Sequence, residues 1–281
     1  MWKKVLFFSG LALMLAGCST NDDSEEETAE NAEGSEGEQV IQIASHLEPM
    51  TDVVEIAADN IEEPYEIELV EVSDNIQYNE ALLNEEVDAN FAQHEPFMEK
   101  FNEERDGNLV AMQPIYDAIV GFYSPVYDSI EDIEDGAEVA IPSDSSNEAR
   151  ALLTLEQHDL ITLDPEAGYF ATVDDIQENP YNFEFTHIDL LNLTGAYEDG
   201  IELVFNLPTY IASIGLTPDD AVFLEEDVEN TFAISLVARE DNQDSEAMRA
   251  VQEAMTSQEV YDFLSDLEEE GHLESAFEVE D

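Results

Sequence analysis

The segment Pro142–Leu153 reads PSDSSNEARALL and gathers groups that suit an anion. Ser145 precedes Glu148 by three residues, the spacing of a capping box at the start of a helix. Arg150 follows in the first turns. A helix N-terminus offers free N–H groups and a partial positive charge, and a guanidinium adds a planar, two-pronged donor. Together they suit one carboxylate, such as the α-carboxylate of an amino acid. An ordinary cap with Arg150 in a surface ion pair is the plainer alternative, and the segment alone fits both. Position favours capture, because Arg150 follows a strand end, and open α/β sheets bind ligands outside the carboxyl ends of their strands. If it is a clamp alone, Arg150→Ala abolishes binding and leaves the fold intact.

The second chemical segment is Ser73–Phe101, SDNIQYNEALLNEEVDANFAQHEPFMEKF. Phe91, His94, Phe97 and Met98 gather there around a strand-to-helix turn. They suit an apolar side-chain pocket with one polar handle, or simply core. Enzyme signatures fail. There is no Gly-x-Ser-x-Gly, and no glycine is followed by lysine as a phosphate loop requires. His94-Glu95 begins a zinc motif, but Met98 stands where the second histidine belongs. Around Gly136 the ligand positions of a calcium loop fall on Ile133 and Pro142. Neither a catalytic residue, a metal nor a cofactor is expected.

The chain of 281 residues carries 70 Asp+Glu against 7 Lys+Arg, for a net charge of −63. Nucleic-acid binding needs clustered Lys and Arg and is excluded. With 43% hydrophobic residues the chain can still build a core. The acids spread along the whole length, with runs at Asp22–Glu38, Glu131–Glu138, Glu225–Glu229 and Glu268–Asp281. Such a coat repels itself at low ionic strength and is screened at molar salt, where the Debye length falls to about 3 Å. The expectation is a protein adapted to high salt.

Met1–Cys18 reads MWKKVLFFSGLALMLAGC. Lys3 and Lys4 form a positive start, and Val5–Ala16 an apolar stretch too short to span a bilayer comfortably. Leu15-Ala16-Gly17-Cys18 resembles the bacterial lipobox, which implies a signal peptide over 1–17 and lipid on Cys18. Cys18 is also the chain's single cysteine. Lipidation would anchor the protein extracytoplasmically without a span. Without Lys3 and Lys4, the basic residues are Lys100, Arg105, Arg150, Arg239 and Arg249. Residues 18–38 are polar and acidic, an extended, disordered tether.

These groups need a scaffold, and the rest of the chain alternates strand and helix. Strands are expected at Val40–Ser45, Tyr65–Val72, Ala89–Gln93, Ile119–Ser124, Glu138–Pro142, Asn182–His187, Leu203–Asn206 and Phe232–Ala238. Helices are expected at Met50–Asn60, Tyr78–Glu86, Glu95–Arg105, Ser146–His158 and, as two segments, Ser245–Glu270, with a short one at Thr209–Ile214. This pattern predicts an α/β fold with mostly parallel sheets. Its length predicts two lobes: 39–122 with a return segment 229–281, and 123–228.

The order of several segments resembles the methionine-binding lipoprotein family of the MetQ/NlpA type. They are Asn79-Glu80-Ala81-Leu82, Val87-Asp88-Ala89-Asn90 and Gln93-His94-x-Pro96-Phe97. Val139-Ala140-Ile141-Pro142 then leads to Asn147 and Arg150-Ala151-Leu152-Leu153. Asn206 and Tyr210 precede Gly215-Leu216-Thr217-Pro218, and Val237-Ala238-Arg239-Glu240-Asp241 closes the likeness, which covers about 39–275. The resemblance implies a periplasmic-binding-protein-like fold with the ligand in a cleft between lobes. It implies delivery to an ABC permease and its ATPase. By position, Arg150 would clamp the α-carboxylate, His94 and Phe97 would line the side-chain pocket, and Asn206 would reach the ligand backbone.

Three positions depart from the family. Asn75 replaces its tyrosine after Ser-Asp, Ala92 falls on its pocket phenylalanine with Phe91 beside it, and Ile234 replaces an asparagine. The expected site is therefore Arg150, His94, Phe97, Asn206, Phe91, Asn147 and Asn75, with Cys18 lipidated. The expected partners are methionine or a related amino acid, the permease–ATPase complex and the membrane, with the protein a monomer. Two alternatives remain open: another amino acid or a dipeptide in the same fold, and an acidic surface lipoprotein with a structural or adhesive role and no small ligand.

Overall fold

Apolar runs bounded by acidic turns set the first sheet. In the computed structural model, which describes residues 39–226 and 230–279, the chain opens with β1 (Gln39–Ser45), α1 (Met50–Asn60), β2 (Tyr65–Glu71) and α2 (Gln77–Leu83). It continues through β3 (Ala89–His94), α3 (Glu95–Arg105) and β4 (Leu109–Ala118). All six residues of β3 are buried, which suits a central strand. The helix α1 turns Met50, Val53, Val54 and Ala57 inward at helical spacing. The expected signal peptide, Cys18 and acidic tether lie outside the described residues.

After β4 the chain passes to a second sheet through Ile119 and Val120. There it forms β5 (Gly121–Tyr123), β6 (Glu138–Pro142), α4 (Ser145–Gln157), β7 (Thr162–Leu163), β8 (Ile176–Glu178) and β9 (Glu184–Ile188). Next come α5 (Leu193–Glu198), β10 (Leu203–Asn206), α6 (Pro208–Ile211) and β11 (Ala221–Leu224). The return adds β12 (Ile234–Arg239), α7 (Glu246–Met255), α8 (Gln258–Glu269) and β13 (Leu273–Ser275) to the first lobe.

The first sheet runs β13-β4-β12-β3-β1-β2 and the second β11-β5-β10-β6-β9. Each has its own apolar core. Ile43, Leu82, Phe91, Leu236, Val251 and Leu264 belong to one. Phe122, Val139, Leu152, Leu155 and Phe205 belong to the other. Leu207 packs against both. The fold is thus two-lobed α/β, but the sheets are mixed where mostly parallel ones were expected. Strands joined by helices within a lobe pair parallel, as β1 does with β2 and β3, and β6 with β9 and β10. Strands beside the crossings run the other way: β12 is antiparallel to β3 and β4, and β5 to β10 and β11. A chain that leaves a sheet and re-enters it from the other lobe meets its old neighbours head to tail.

Candidate ligand-binding site

The carboxyl ends of the strands converge where the lobes meet. His46 directly follows β1, Asn75 follows β2, His94 ends β3, and Asn147 lies in the first turn of the helix after β6. These four residues share one cavity with Tyr78 and Phe97, and Tyr116, Ala118 and Ile234 close its first-lobe side. Leu190, Leu207, Thr209 and Tyr210 reach it from the second lobe. The cavity volume is about 50 Å³, several times the roughly 10–15 Å³ that one water needs. Among the described residues no Asp, Glu, Lys or Arg lines it, although the chain carries 70 acids.

His94 bridges the lobes through a chain of oriented bonds. Its Nδ1 accepts from the backbone N–H of Phe97 at 3.2 Å, which caps α3. The ring proton therefore sits on Nε2, which donates to Asn147 Oδ1 at 3.1 Å. Asn147 in turn donates from Nδ2 to both oxygens of Asp144, at 3.0 and 3.2 Å. Burial, and then the neighbouring Arg150 charge, push the His94 imidazole down to about 3. It is neutral, as this bonding pattern requires. Asp144 is the true cap of α4, accepting from the Asn147 N–H at 3.0 Å. The expected capping box at Ser145 is thus corrected: Ser145 is the first helical residue. Glu148 bonds His187 and the Val173 N–H instead.

His46 makes a second cross-lobe contact, with Nε2 3.4 Å from the Tyr210 hydroxyl. Its ring stacks on Tyr78 with centroids 5.5 Å apart. Burial pushes it down to about 4, and its Nδ1 is buried without a partner among the described residues.

Arg150 is 1% exposed and lies beside the cavity wall, not in it. Its Nη2 donates to Asp117 at 2.8 Å and to the Ala118 carbonyl at 2.7 Å. Its Nε lies 3.0 and 3.2 Å from the two oxygens of Glu225. The Phe232 ring covers one face of the guanidinium, 4.8 Å away. The plain surface ion pair is excluded, because the cluster is buried and ties both crossings together. Ala118 lines the cavity, so the guanidinium stands one residue behind its wall.

Of the sequence-predicted residues, His94, Phe97, Asn147 and Asn75 meet at the cavity. Arg150, Phe91 and Asn206 are not in its lining. Phe91 is fully buried in the first-lobe core and packs edge-on against Tyr116 at 6.0 Å. Asn206 is buried too, bonding Thr194 at 3.2 Å and the Leu207 N–H at 3.0 Å. Asn79, Asn90 and Gln93 form a closed amide cluster, with Asn79 Nδ2 donating to Gln93 Oε1 at 2.7 Å and Asn90 Nδ2 to Asn79 Oδ1 at 2.9 Å. It fastens α2 to β3, and Gln93 also joins the cavity lining. The sequence reading missed His46, Tyr78 and Tyr116 as lining residues. The position of His46 after β1 was the available signal.

Two sheets with separate cores, two crossings and a cavity between the lobes define a two-lobed substrate-binding protein. The family described as NlpA lipoprotein matches residues 41–276, and the chain belongs to that family. It is 35% identical over 253 residues to the D-methionine-binding lipoprotein MetQ of Escherichia coli (strain K12), covering 89% of either chain. A YaeC-family lipoprotein of known structure from Enterococcus faecalis is 43% identical, with a TM-score of 0.75 over 85% of this chain and 99% of that one. A nutrient binding protein from Burkholderia cenocepacia, solved bound to methionine, is 28% identical, with a TM-score of 0.78 over 84% and 100%.

Proposed function

We propose that this chain is a lipid-anchored extracytoplasmic binding protein that captures methionine or a related amino acid and delivers it to an ABC importer. The observation that carries the reading is the cavity between the lobes of an NlpA-family chain, lined from both sides and without a charged side chain among the described residues. A site for a zwitterion with an apolar side chain must exclude stray carboxylates, and here none of the acids among the described residues enters the lining. The names of the E. coli and Burkholderia relatives supply methionine as the first candidate.

In this reading His94, Phe97 and Asn147 meet the ligand, and Arg150, one residue behind Ala118, attracts its α-carboxylate. Phe91 buttresses Tyr116, and Asn206 fixes Leu207. The His94–Asn147 and His46–Tyr210 contacts cross between lobes, so a ligand that fits their geometry binds the closed form better and shifts the population toward it. Lipid on Cys18 holds the protein at the membrane, and the acidic coat suits high salt. Asn75 lines the cavity where the family has tyrosine, which favours a second reading with another amino acid or a dipeptide as ligand.

The test is thermal unfolding of a soluble form starting at Ser19, unfolded and refolded to strip bound ligand, in molar salt. L- and D-amino acids and dipeptides are added singly. A ligand at a hundred times its Kd adds about 2.7 kcal/mol. A shift with methionine supports the reading, and a shift with another compound alone supports the second. No shift with any compound refutes both and leaves the non-binding surface lipoprotein.

A further inference from the structure

Glu225 grips Arg150 as a bound carboxylate would. Its oxygens face Nε at 3.0 and 3.2 Å and Nη2 at 2.5 Å, the two-pronged edge of the guanidinium. Arg150 does not need this second anion. Asp117 already neutralises it at 2.8 Å, and the three side chains are 1%, 0% and 6% exposed. One buried cation between two buried carboxylates leaves a net negative charge out of water, and desolvating an extra charge is expensive.

Position makes Glu225 able to leave. It is the first residue after β11, where the chain turns back toward the first lobe. Its backbone N–H donates to the Val120 carbonyl at 2.8 Å, on the outward crossing. Both crossings therefore meet at Glu225, where any change in the angle between lobes is felt. Ala118, whose carbonyl shares Nη2 with Glu225, lines the candidate cavity.

We infer that Glu225 is an internal competitor for the ligand's carboxylate: it holds the Nε/Nη2 edge of Arg150 in the ligand-free protein and yields that edge to an incoming α-carboxylate. The exchange replaces one carboxylate by another, so the charge around Arg150 is unchanged while Glu225 regains water. The competitor sets affinity and confines the subsite to ligands that bring a carboxylate of their own. This inference rests on the amino-acid-binding reading above.

The test compares the wild type with Glu225→Gln and Glu225→Asp in calorimetric titrations at molar salt, using methionine and methioninol, which lacks the carboxylate. If Glu225 fills the edge in 90–99% of ligand-free molecules, apparent affinity is held down about 10- to 100-fold. Glu225→Gln is expected to bind methionine at least about tenfold more tightly, with methioninol changing by less than about twofold. Glu225→Asp, which keeps the charge but shortens the reach, is expected to fall between, and it decides the question if the glutamine variant does not fold. Unchanged or weaker methionine binding overturns the inference while the wild type's own binding leaves the functional reading standing. An equal gain for both ligands also overturns it, since that is general loosening of the cleft. Binding by neither protein removes the reading and the inference together.

Discussion

Replacing Arg150 by methionine keeps the length of the buried stem and removes the charge. Sequence alone anticipates lost binding with an intact fold; the buried cluster adds a large stability loss. The variant leaves Asp117 and Glu225, 0% and 6% exposed, facing one site with no cation. Removing one partner of a buried ion pair costs about 3–5 kcal/mol. Protonation offers an escape. Holding a carboxyl with an ordinary value near 3.9 neutral at pH 7 costs about 1.4 kcal/mol for each of about three pH units, or roughly 4 kcal/mol. The chain takes the cheaper route, so the expected loss is about 3–4 kcal/mol at pH 7. Urea suits the assay because guanidinium would itself screen the acidic coat. With a slope of about 1–3 kcal/mol per molar, the midpoint falls by at least about 1 M. The pH dependence follows from Asp117, which burial raises even beside Arg150. An acid raised in the folded state favours folding at low pH and loses that contribution as pH rises through its folded value. The deficit against wild type therefore shrinks as pH falls from 7 toward 4, and adding Asp117→Asn recovers part of it. A midpoint unchanged at pH 7, or a deficit that grows in acid, refutes the reasoning.

His94→Gln keeps a donor toward Asn147 but cannot titrate. The wild-type histidine sits at about 3 when folded against an ordinary value near 6.5, so its contribution is complete above 6.5 and falls by about 1.4 kcal/mol per pH unit below it. The variant should lack that part of the acid loss in paired pH-stability curves; identical curves would contradict the assignment. Asn79→Leu breaks the amide cluster, leaving Asn90 and Gln93 short of partners in the core. Unfolding in urea should show a loss of about 1–3 kcal/mol, and a neutral result would mean the cluster does not fasten α2. Melting temperature should climb steadily as sodium chloride rises from about 0.1 M to molar concentrations, because the Debye length shrinks from about 10 Å to about 3 Å. A flat or falling curve would argue against salt adaptation.

The fold was legible where one face of an element is apolar and its ends are marked. The helices α1 and α3 match expectation at both ends: α1 buries Val53, Val54 and Ala57, while α3 has Pro96 near its start and a left-handed Asp106 at its close. The ten-residue strand β4 gave no such signal. Gln113, Pro114 and Asp117 interrupt its apolar run, and its register against β12 shifts twice. It is a strand because β12 and β13 pair with it on either side, and partners that arrive from more than a hundred residues away leave no local trace. The short strands β11 and β13 pair with similarly distant partners, while β7 and β8, which pair with each other, are only two and three residues long and too short to show a pattern. Strand direction was equally hidden, because it depends on which lobe the chain comes from.

The site was legible in pieces. His94, Phe97, Asn75 and Asn147 lie within segments that a family likeness marks, and all four line one cavity. Tyr116 reaches the cavity from the unanticipated strand, and His46 from a strand end with no motif around it. Arg150 shows where local reading stops. Its spacing after a strand and a cap was visible, but its partners lie 33 and 75 residues away. With 70 candidate carboxylates in the chain, no pattern could say which two would close on it. Scarcity cuts the other way once the structure is known. A chain with seven basic residues has buried one of them between two acids, at the junction of both crossings and one residue from the cavity. A structural tie alone needs a single carboxylate, and Asp117 supplies it. The second, mounted on the return crossing, is what makes the cluster responsive to a ligand carboxylate and to the angle between the lobes.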